Sequence, residues 1–281
     1  MTPHALLQHF DTGEPWPGGP GASGCSDLAA AYQAALAVRA LRIARGEQAR
    51  GFKIGFTNRT IWQRYQVFAP IWGTVWDTSL GPAGDTPAPI EMTALCQPRI
   101  EPEVVFGMRA TPAPDADLDA LFDALDWIAP GFELVQSHQP GWKFSAPDTV
   151  ADAGLHARLR VGEHVPVRAL AANAAALDAL LAATSLTLER DNAAVEQGLG
   201  ANVLDSPLRA LLHFLTELRQ CPGAPDLQAG DVVTTGTWTD AWPVRAGERW
   251  TSRFSAHLPS ISVDFVQAGI LRAHPQPDGL V

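Results

Sequence analysis

Hydrophobic spacing divides the chain into two unlike parts. Between Ser26 and Gly46 apolar residues recur at i+4 spacing, at Leu28, Tyr32 and Leu36, which predicts an amphipathic helix capped by Ser26 or Asp27. The stretch before it, "GEPWPGGPGASG" (13–24), is rich in Gly and Pro and reads as a loop or flexible lead-in. After residue 50 the pattern changes to short apolar runs bounded by turn residues: "GFKIGFT", "QPRIEPEVVF", "GFELV", "GDVVTTGTWT", "ERWTSRFSA" and "SISVDFV". These predict strands. "LTLERDNAAVEQG" predicts a hairpin turning at Asp191-Asn192, two residues that tolerate turn backbone angles. Two helices interrupt the strands. One carries Leu118, Leu121, Phe122 and Leu125 on one face and is expected to stop before Pro130. The other starts at Ser206-Pro207 in cap-then-N1 order and carries Leu208, Leu211, Leu212, Leu215 and Leu218. Tyr65 to Pro82 shows no period and reads as irregular. Helices dispersed among strands without βαβ alternation predict an α+β fold on a curved mixed sheet. Residues 1–50 form a helical segment without a core of its own, part of the same domain as 51–281.

Composition narrows the function classes. A formal net charge of −10 argues against nucleic acid or an anionic membrane as the main partner, because both need a basic footprint. Three scattered cysteines without a CxxC pair suggest reduced thiols. No basic-then-apolar leader opens the chain, and no apolar run approaches the ~20 residues of a membrane span. A cytoplasmic protein without membrane association is the expectation.

Against this background two carboxylates stand out. Glu101 and Glu103 lie two apart inside the apolar run Ile100 to Phe106, so on a strand they project to one face. Pro102 between them cannot donate a ladder hydrogen bond, which suggests an edge or a bulge. Glu133 sits inside another apolar strand. A solvated strand face is the ordinary explanation of an E-x-E pair. Apolar flanks and a third carboxylate favour a shared cation, since carboxylates converging in a low-dielectric site repel strongly. Hard oxygen ligands select Mg²⁺, Mn²⁺ or Ca²⁺ over zinc, and three of them leave coordination positions open. Other common signatures are missing: no phosphate loop, no GxSxG elbow, no convincing dinucleotide fingerprint and no zinc-like His spacing. His138 and His213 read as isolated surface or hydrogen-bonded residues.

The strings "GFKIGFT", "QPRIEPEVVF", "DWIAPGFELV", "DTVAD" and "AGDVVTTGTWT" occur in an order that resembles the 2-keto-4-pentenoate hydratases. With 4-oxalocrotonate decarboxylases these belong to the fumarylacetoacetate hydrolase superfamily. The resemblance spans roughly residues 28 to 266. It implies a mixed β-sandwich or roll of the superfamily's C-terminal-domain type, with 51–281 as the catalytic domain. It also implies a divalent metal, Mg²⁺ or Mn²⁺, held by Glu101, Glu103 and Glu133. Lys53 takes the place of the family lysine and is the candidate general acid/base; a neighbouring cation should lower its pKa. Lys143 of "GWKF" lies where relatives often carry a lysine, and is either a substrate-carboxylate contact or an ordinary loop lysine. Gly236 and Thr237 match the family's substrate-facing strand end.

The pattern also departs from the family. Ile71 of "PIWG" replaces an aspartate thought to share the proton work, with Asp77 as a partial substitute. Ala153-Gly154-Leu155 replace Asn-Ala-Ser, and Ser206 replaces a histidine. Trp72, Trp76 and Trp238 are expected to add bulk around the site. No Glu–His pair is evident that could activate a water. The reading that follows is a metal-dependent hydro-lyase adding water to a 2-hydroxy-2,4-dienoate or 2-oxo-enoate in aromatic catabolism, as a homo-oligomer acting on a small 2-oxo acid. The alternatives are a decarboxylase or C–C hydrolase on a 2-oxo-dioate or diketo acid, and a non-catalytic partner of a related enzyme.

Overall fold

A computed structural model describes residues 1–82, 89–255 and 257–267. The N-terminal part holds α1 (Pro3–Thr12), which the hydrophobic spacing did not reveal, and α2 (Leu28–Ala44). Thr2 caps α1 through the Ala5 N–H, and Asp27 caps α2 through the Ala30 N–H. The Gly/Pro-rich loop between them is pinned rather than free: Asp148 accepts from Gly21 N at 2.6 Å and Ser23 N at 3.1 Å. A small apolar cluster of Leu6, Trp16 and Ala31 then packs on Ile71, Val150 and Ala151 from the body of the fold.

The chain continues through β1 (Ala49–Gly55), the single-turn α3 (Trp62–Tyr65), β2 (Ile71–Trp76), β3 (Leu80–Pro82), β4 (Ile90–Glu91) and β5 (Arg99–Met108). Next come α4 (Leu118–Ala124), β6 (Leu125–Val135), α5 (Ala146–Ala151), β7 (His156–Val161), β8 (Val165–Pro166), α6 (Val167–Leu170) and α7 (Ala174–Ala183). The last elements are β9 (Ser185–Arg190), β10 (Ala193–Leu199), α8 (Pro207–Gln220), β11 (Val232–Thr234), β12 (Trp242–Pro243), β13 (Arg249–Phe254) and β14 (Ile261–Val266).

Two expectations fail here. The segment 65–82 contains β2, whose six residues are all buried, so no polar alternation marks it. The helix carrying Leu118 stops at Ala124, not before Pro130. Leu125 onward pairs with β5, and Pro130 sits inside β6 opposite Val104. Cross-strand pairing overrides the helical period there.

The large sheet runs β2-β1-β11-β5-β6-β7-β3, with β1/β11 and β3/β7 parallel and the other pairs on that path antiparallel. β2 and β3 stand at opposite ends of this order, yet only residues 77–79 separate them in the chain. The sheet must therefore curl until its ends meet. Ser79 makes the seam: its carbonyl accepts from Leu159 N at 2.9 Å. A second sheet, β10-β9-β13-β14-β4, packs with α4, α7 and α8 on the outer face of the roll, around Phe52, Ile54, Phe106, Phe132, Trp250 and Phe265. The hairpin β9–β10 turns at Asp191 (φ 51°) and Asn192 (φ 66°). Inside the roll lie Val75, Val105, Ala129, Leu159, Val161 and Val232, and at one end of that interior lie the charges. The result is an α+β fold of mixed sheets. Among the described residues, no helix is long and apolar enough to cross a membrane.

Candidate metal centre and cleft

Register brings the carboxylates together. Glu101 and Glu103 are two apart on β5, and Glu101 pairs directly with Glu133 on β6, so all three point into the roll. One oxygen from each falls within 4.8 Å of the others. Glu103 and Glu133 are fully buried, while Glu101 is part-exposed on the cleft wall. Lys53, on β1, is 2 % exposed and places Nζ 3.4 Å from Glu133 Oε2 and 2.8 Å from the Gly154 carbonyl, to which it donates.

The protein anchors only one oxygen of each deep carboxylate. Glu103 Oε2 accepts from the Thr234 hydroxyl and from Gly236 N at 2.7 Å. Glu133 Oε1 is 2.8 Å from His156 Nδ1. The other two oxygens, Glu103 Oε1 and Glu133 Oε2, are buried without a hydrogen-bond partner. Buried orphan acceptors are costly. Two of them facing a third carboxylate form a hard-oxygen set that fits a divalent ion.

The electrostatics carry the same message. Burial pushes Glu101 up to about 7, with Lys53 pulling it down and Glu133 pushing it further up. Glu103 is held well above the usual carboxylate range by burial and by Glu133 and Glu101. Burial pulls Lys53 down, but Glu133, Glu101 and Glu103 together outweigh that, so its net direction without a cation is upward. His156 is lowered, chiefly by burial.

Above the trio opens a cleft of about 340 Å³, within the usual range for small-ligand sites. Its polar lining includes Lys53, Arg64, Arg99, Glu101, Thr237 and Asp240. Its aromatic side is continuous: Phe56 stacks on Tyr65 at 5.2 Å, Tyr65 on Phe144 at 5.4 Å, and the Arg99 guanidinium lies 4.1 Å over Trp142. Several residues around it hold left-handed backbone, including Phe56 (φ 56°), Ala153 (φ 56°) and Leu155 (φ 65°). Such strain clusters at functional sites.

Of the residues singled out from the sequence, Lys53, the three glutamates, Gly236 and Thr237 converge. Gly236 (φ 96°) is tight against the protein itself, since a Cβ there would overlap the Thr57 hydroxyl. Thr237 lines the cleft but donates its hydroxyl proton to the Thr239 carbonyl at 3.1 Å. Lys143 does not converge. It is exposed, whereas its neighbours Trp142 and Phe144 line the cleft. Alternating side-chain direction in this stretch sends Lys143 outward.

Other expectations are corrected. Ile71 lines the cleft, but Asp77 is exposed and accepts from Gln48 N and Thr78 N, so it cannot stand in for an acid there. Trp72, Trp76 and Trp238 are core residues: Trp72 stacks on Tyr32 at 4.6 Å, Trp76 lies under Arg42, and Trp238 packs edge-on to Phe254. Ser206 caps α8 and bonds Asp178. His138 is hydrogen-bonded, as expected, its Nδ1 2.6 Å from Asp152 Oδ1. A Glu–His pair does exist, Glu133 with His156, but the imidazole is behind the carboxylate and not on the cleft wall. Sequence reasoning also missed Thr234, Arg64, Arg99 and the aromatic side. The alternation of "HARLRV" gives no signal for His156, since it groups His156 with Arg158 and Arg160; the irregularity in register opposite Leu134 and Val135 turns it toward Glu133.

No protein-family model matches the chain. It is 31% identical to a 4-oxalocrotonate decarboxylase of Pseudomonas sp. over 213 residues, covering 73% of this chain and 75% of the relative. It is 30% identical to the 2-keto-4-pentenoate hydratase 1 of Dechloromonas aromatica, covering 74% of each. To the 2-hydroxyhexa-2,4-dienoate hydratase of Comamonas testosteroni it is 29% identical, covering 78% and 80%. Among solved structures, the 4-oxalocrotonate decarboxylase from Pseudomonas putida G7, complexed with magnesium and adipate, matches with a TM-score of 0.80 at 26% identity, covering 94% of this chain and 95% of that one. The chain belongs to the 2-keto-4-pentenoate hydratase and 4-oxalocrotonate decarboxylase family of the fumarylacetoacetate hydrolase superfamily.

Proposed function

We propose that the protein is a divalent-metal-dependent hydro-lyase that adds water to a 2-hydroxy-2,4-dienoate or 2-oxo-enoate formed in the breakdown of aromatic rings. The observation that supports it best is the pair of orphaned, buried oxygens on Glu103 and Glu133 facing Glu101, with Lys53 beside them. Glu101, Glu103 and Glu133 would hold the ion, Mg²⁺ or Mn²⁺, because all three ligands are hard oxygens. Bound there, it supplies Lewis-acid polarisation of a 2-oxo acid's oxygens. Lys53 moves the proton. It lines the cleft with Nζ 3.4 Å from Glu133, and its carbonyl partner Gly154 fixes its direction. A cation in the trio would offset the carboxylates that now hold its pKa up, leaving burial to favour the neutral amine. Phe56, Tyr65, Phe144 and Ile71 give the substrate's conjugated tail an apolar side and keep water from it. A cytoplasmic homo-oligomer completes the proposal.

A second reading, carboxy-lyase, draws on two observations. Ile71 gives the cleft no acid at that position, and Arg64 and Arg99 offer it two guanidiniums that suit a second carboxylate. Loss of CO₂ asks less of a second acid/base group than water addition does. C–C hydrolysis is less well supported, because His156 has no access to a cleft water. The test is incubation of Mg²⁺-loaded protein with 2-hydroxypenta-2,4-dienoate, longer dienoates and a 2-oxo-enedioate. EDTA-sensitive loss of dienoate absorbance supports the hydratase, and CO₂ release from the dioate supports the second reading. Turnover of none of them, with Lys53→Ala binding the same ligands equally well, rejects both in favour of a non-catalytic partner.

A further inference from the structure

We propose that His156, backed by Ser79, is a positioning residue that keeps Glu133 a one-oxygen ligand and thereby tunes the centre toward small octahedral cations. The inference rests on reading the carboxylate trio as a metal centre. His156 opens β7 and is 1 % exposed, with Nδ1 2.8 Å from Glu133 Oε1 and Nε2 2.9 Å from Ser79 Oγ. Glu133 fixes the tautomer: an ionised carboxylate oxygen can only accept, so the imidazole proton facing Oε1 sits on Nδ1 and is donated to it. Ser79 Oγ accepts from Trp76 N at 3.0 Å and lies 3.1 Å from the Trp76 carbonyl and 2.9 Å from Nε2, so it braces the far side of the ring. Among Ser79 Oγ, the His156 nitrogens and the Glu133 oxygens, only Glu133 Oε2 has no hydrogen-bond partner; it faces Glu101 and Glu103, with Lys53 Nζ 3.4 Å away.

The consequence follows from carboxylate geometry. To present both oxygens to an ion, Glu133 would have to swing Oε1 from the position in which His156 holds it, bending or stretching the bond of a buried imidazole N–H. Glu103 is restrained in the same way by Thr234 and Gly236. Single-oxygen ligation suits six-coordinate Mg²⁺ and Mn²⁺, whereas Ca²⁺ favours more oxygens and bidentate carboxylates. Partners of this kind orient metal ligands, and their removal costs about 10–100-fold in affinity.

The test compares Mn²⁺ and Ca²⁺ affinity by calorimetry, with the Mn²⁺ EPR line shape as a second readout, in wild type, His156→Leu and His156→Asn. His156→Leu should weaken Mn²⁺ about 10–100-fold while weakening Ca²⁺ less, and should broaden the EPR lines. His156→Asn, which can offer an N–H near the Nδ1 position, should restore most of the Mn²⁺ affinity. A folded His156→Leu with wild-type affinity for both ions and an unchanged line shape overturns the proposal but leaves the metal centre standing. Wild type that takes up no Mn²⁺ overturns both. If His156→Leu gives no folded protein, Ser79→Ala decides: a lower Mn²⁺-to-Ca²⁺ preference supports the role, and an unchanged one overturns it.

Discussion

Replacing Glu103 by Gln should do two opposite things, and their size can be worked from the fold. Glu103 and Glu133 are both fully buried and offer oxygens within 4.8 Å of each other. At that separation and an effective dielectric of about 20, two full charges repel by about 3.5 kcal/mol. Part of this is already relieved in the metal-free protein, because burial and its acidic neighbours hold the Glu103 carboxyl toward its neutral form. Losing the Glu103 charge also costs its attraction to Lys53. A net gain of about 1–2 kcal/mol in the metal-free protein at pH 8 is what remains, or a Tm higher by roughly 2–6 °C for a chain of this length. Gln keeps an acceptor for Thr234 and Gly236 N, so the loop carrying Gly236 stays in place. The ion meanwhile loses an anionic ligand. Wild type at about 100 times the Kd for Mn²⁺ should gain about 2.7 kcal/mol from binding, and Glu103→Gln should gain almost nothing at that concentration. Thermal melts with and without MnCl₂, in buffer stripped of metal, read both effects. A variant less stable than wild type without metal, yet equally stabilised by Mn²⁺, would show that Glu103 neither repels its neighbours nor ligates the ion.

Other outcomes follow from the same geometry. Lys53→Met should lower turnover by about 10²–10⁴-fold while leaving the Mn²⁺-induced rise in Tm intact, as read by steady-state kinetics beside thermal melts. Glu101, raised to about 7, and Glu103, also raised well above the usual carboxylate range, bind protons in the folded protein that the unfolded chain releases near the ordinary value of 4.5. The contribution of Glu101 and Glu103 to metal-free stability is therefore greatest below pH 4.5 and is lost as pH rises through 7 and beyond. Because the ion binds the deprotonated carboxylates, the Mn²⁺ increment in Tm should grow over the same range; melts from pH 5 to 8.5 check both slopes. Gly236→Ala puts a methyl group into Thr57 at φ 96° and should cost at least about 2 kcal/mol in urea unfolding, with metal affinity falling as the N–H to Glu103 shifts.

What could be read in the sequence was what spacing encodes locally. Asp191-Asn192 turns where it should because both residues accept left-handed backbone, and Ser206-Pro207 starts α8 because cap and N1 preferences are local. The glutamates were legible for a similar reason: a two-residue period puts Glu101 and Glu103 on one face, and the apolar context of Glu133 marks it as buried. The resemblance to the family supplied Lys53. What failed depends on the curl of the sheet. β2 is buried on both faces, so its alternation is erased, and the apolar period after Leu118 runs straight into β6, where pairing to β5 decides. Trp72 and Trp76 belong to the same strand as the cleft residue Ile71, but only the roll determines which of them meets the site. The pairing of His156 with Ser79 and Glu133 lies across the seam where β2, β3 and β7 meet, and no local pattern encodes a seam.

A divalent ion would make this trio of carboxylates, two of them fully buried, tolerable. Diffraction from crystals grown with Mn²⁺, recorded at the manganese edge, should show a single anomalous peak per chain within bonding distance of Glu101, Glu103 and Glu133, with Glu133 contributing Oε2 alone. Ordered protein with no peak there, or with the three side chains turned away from one another, contradicts it.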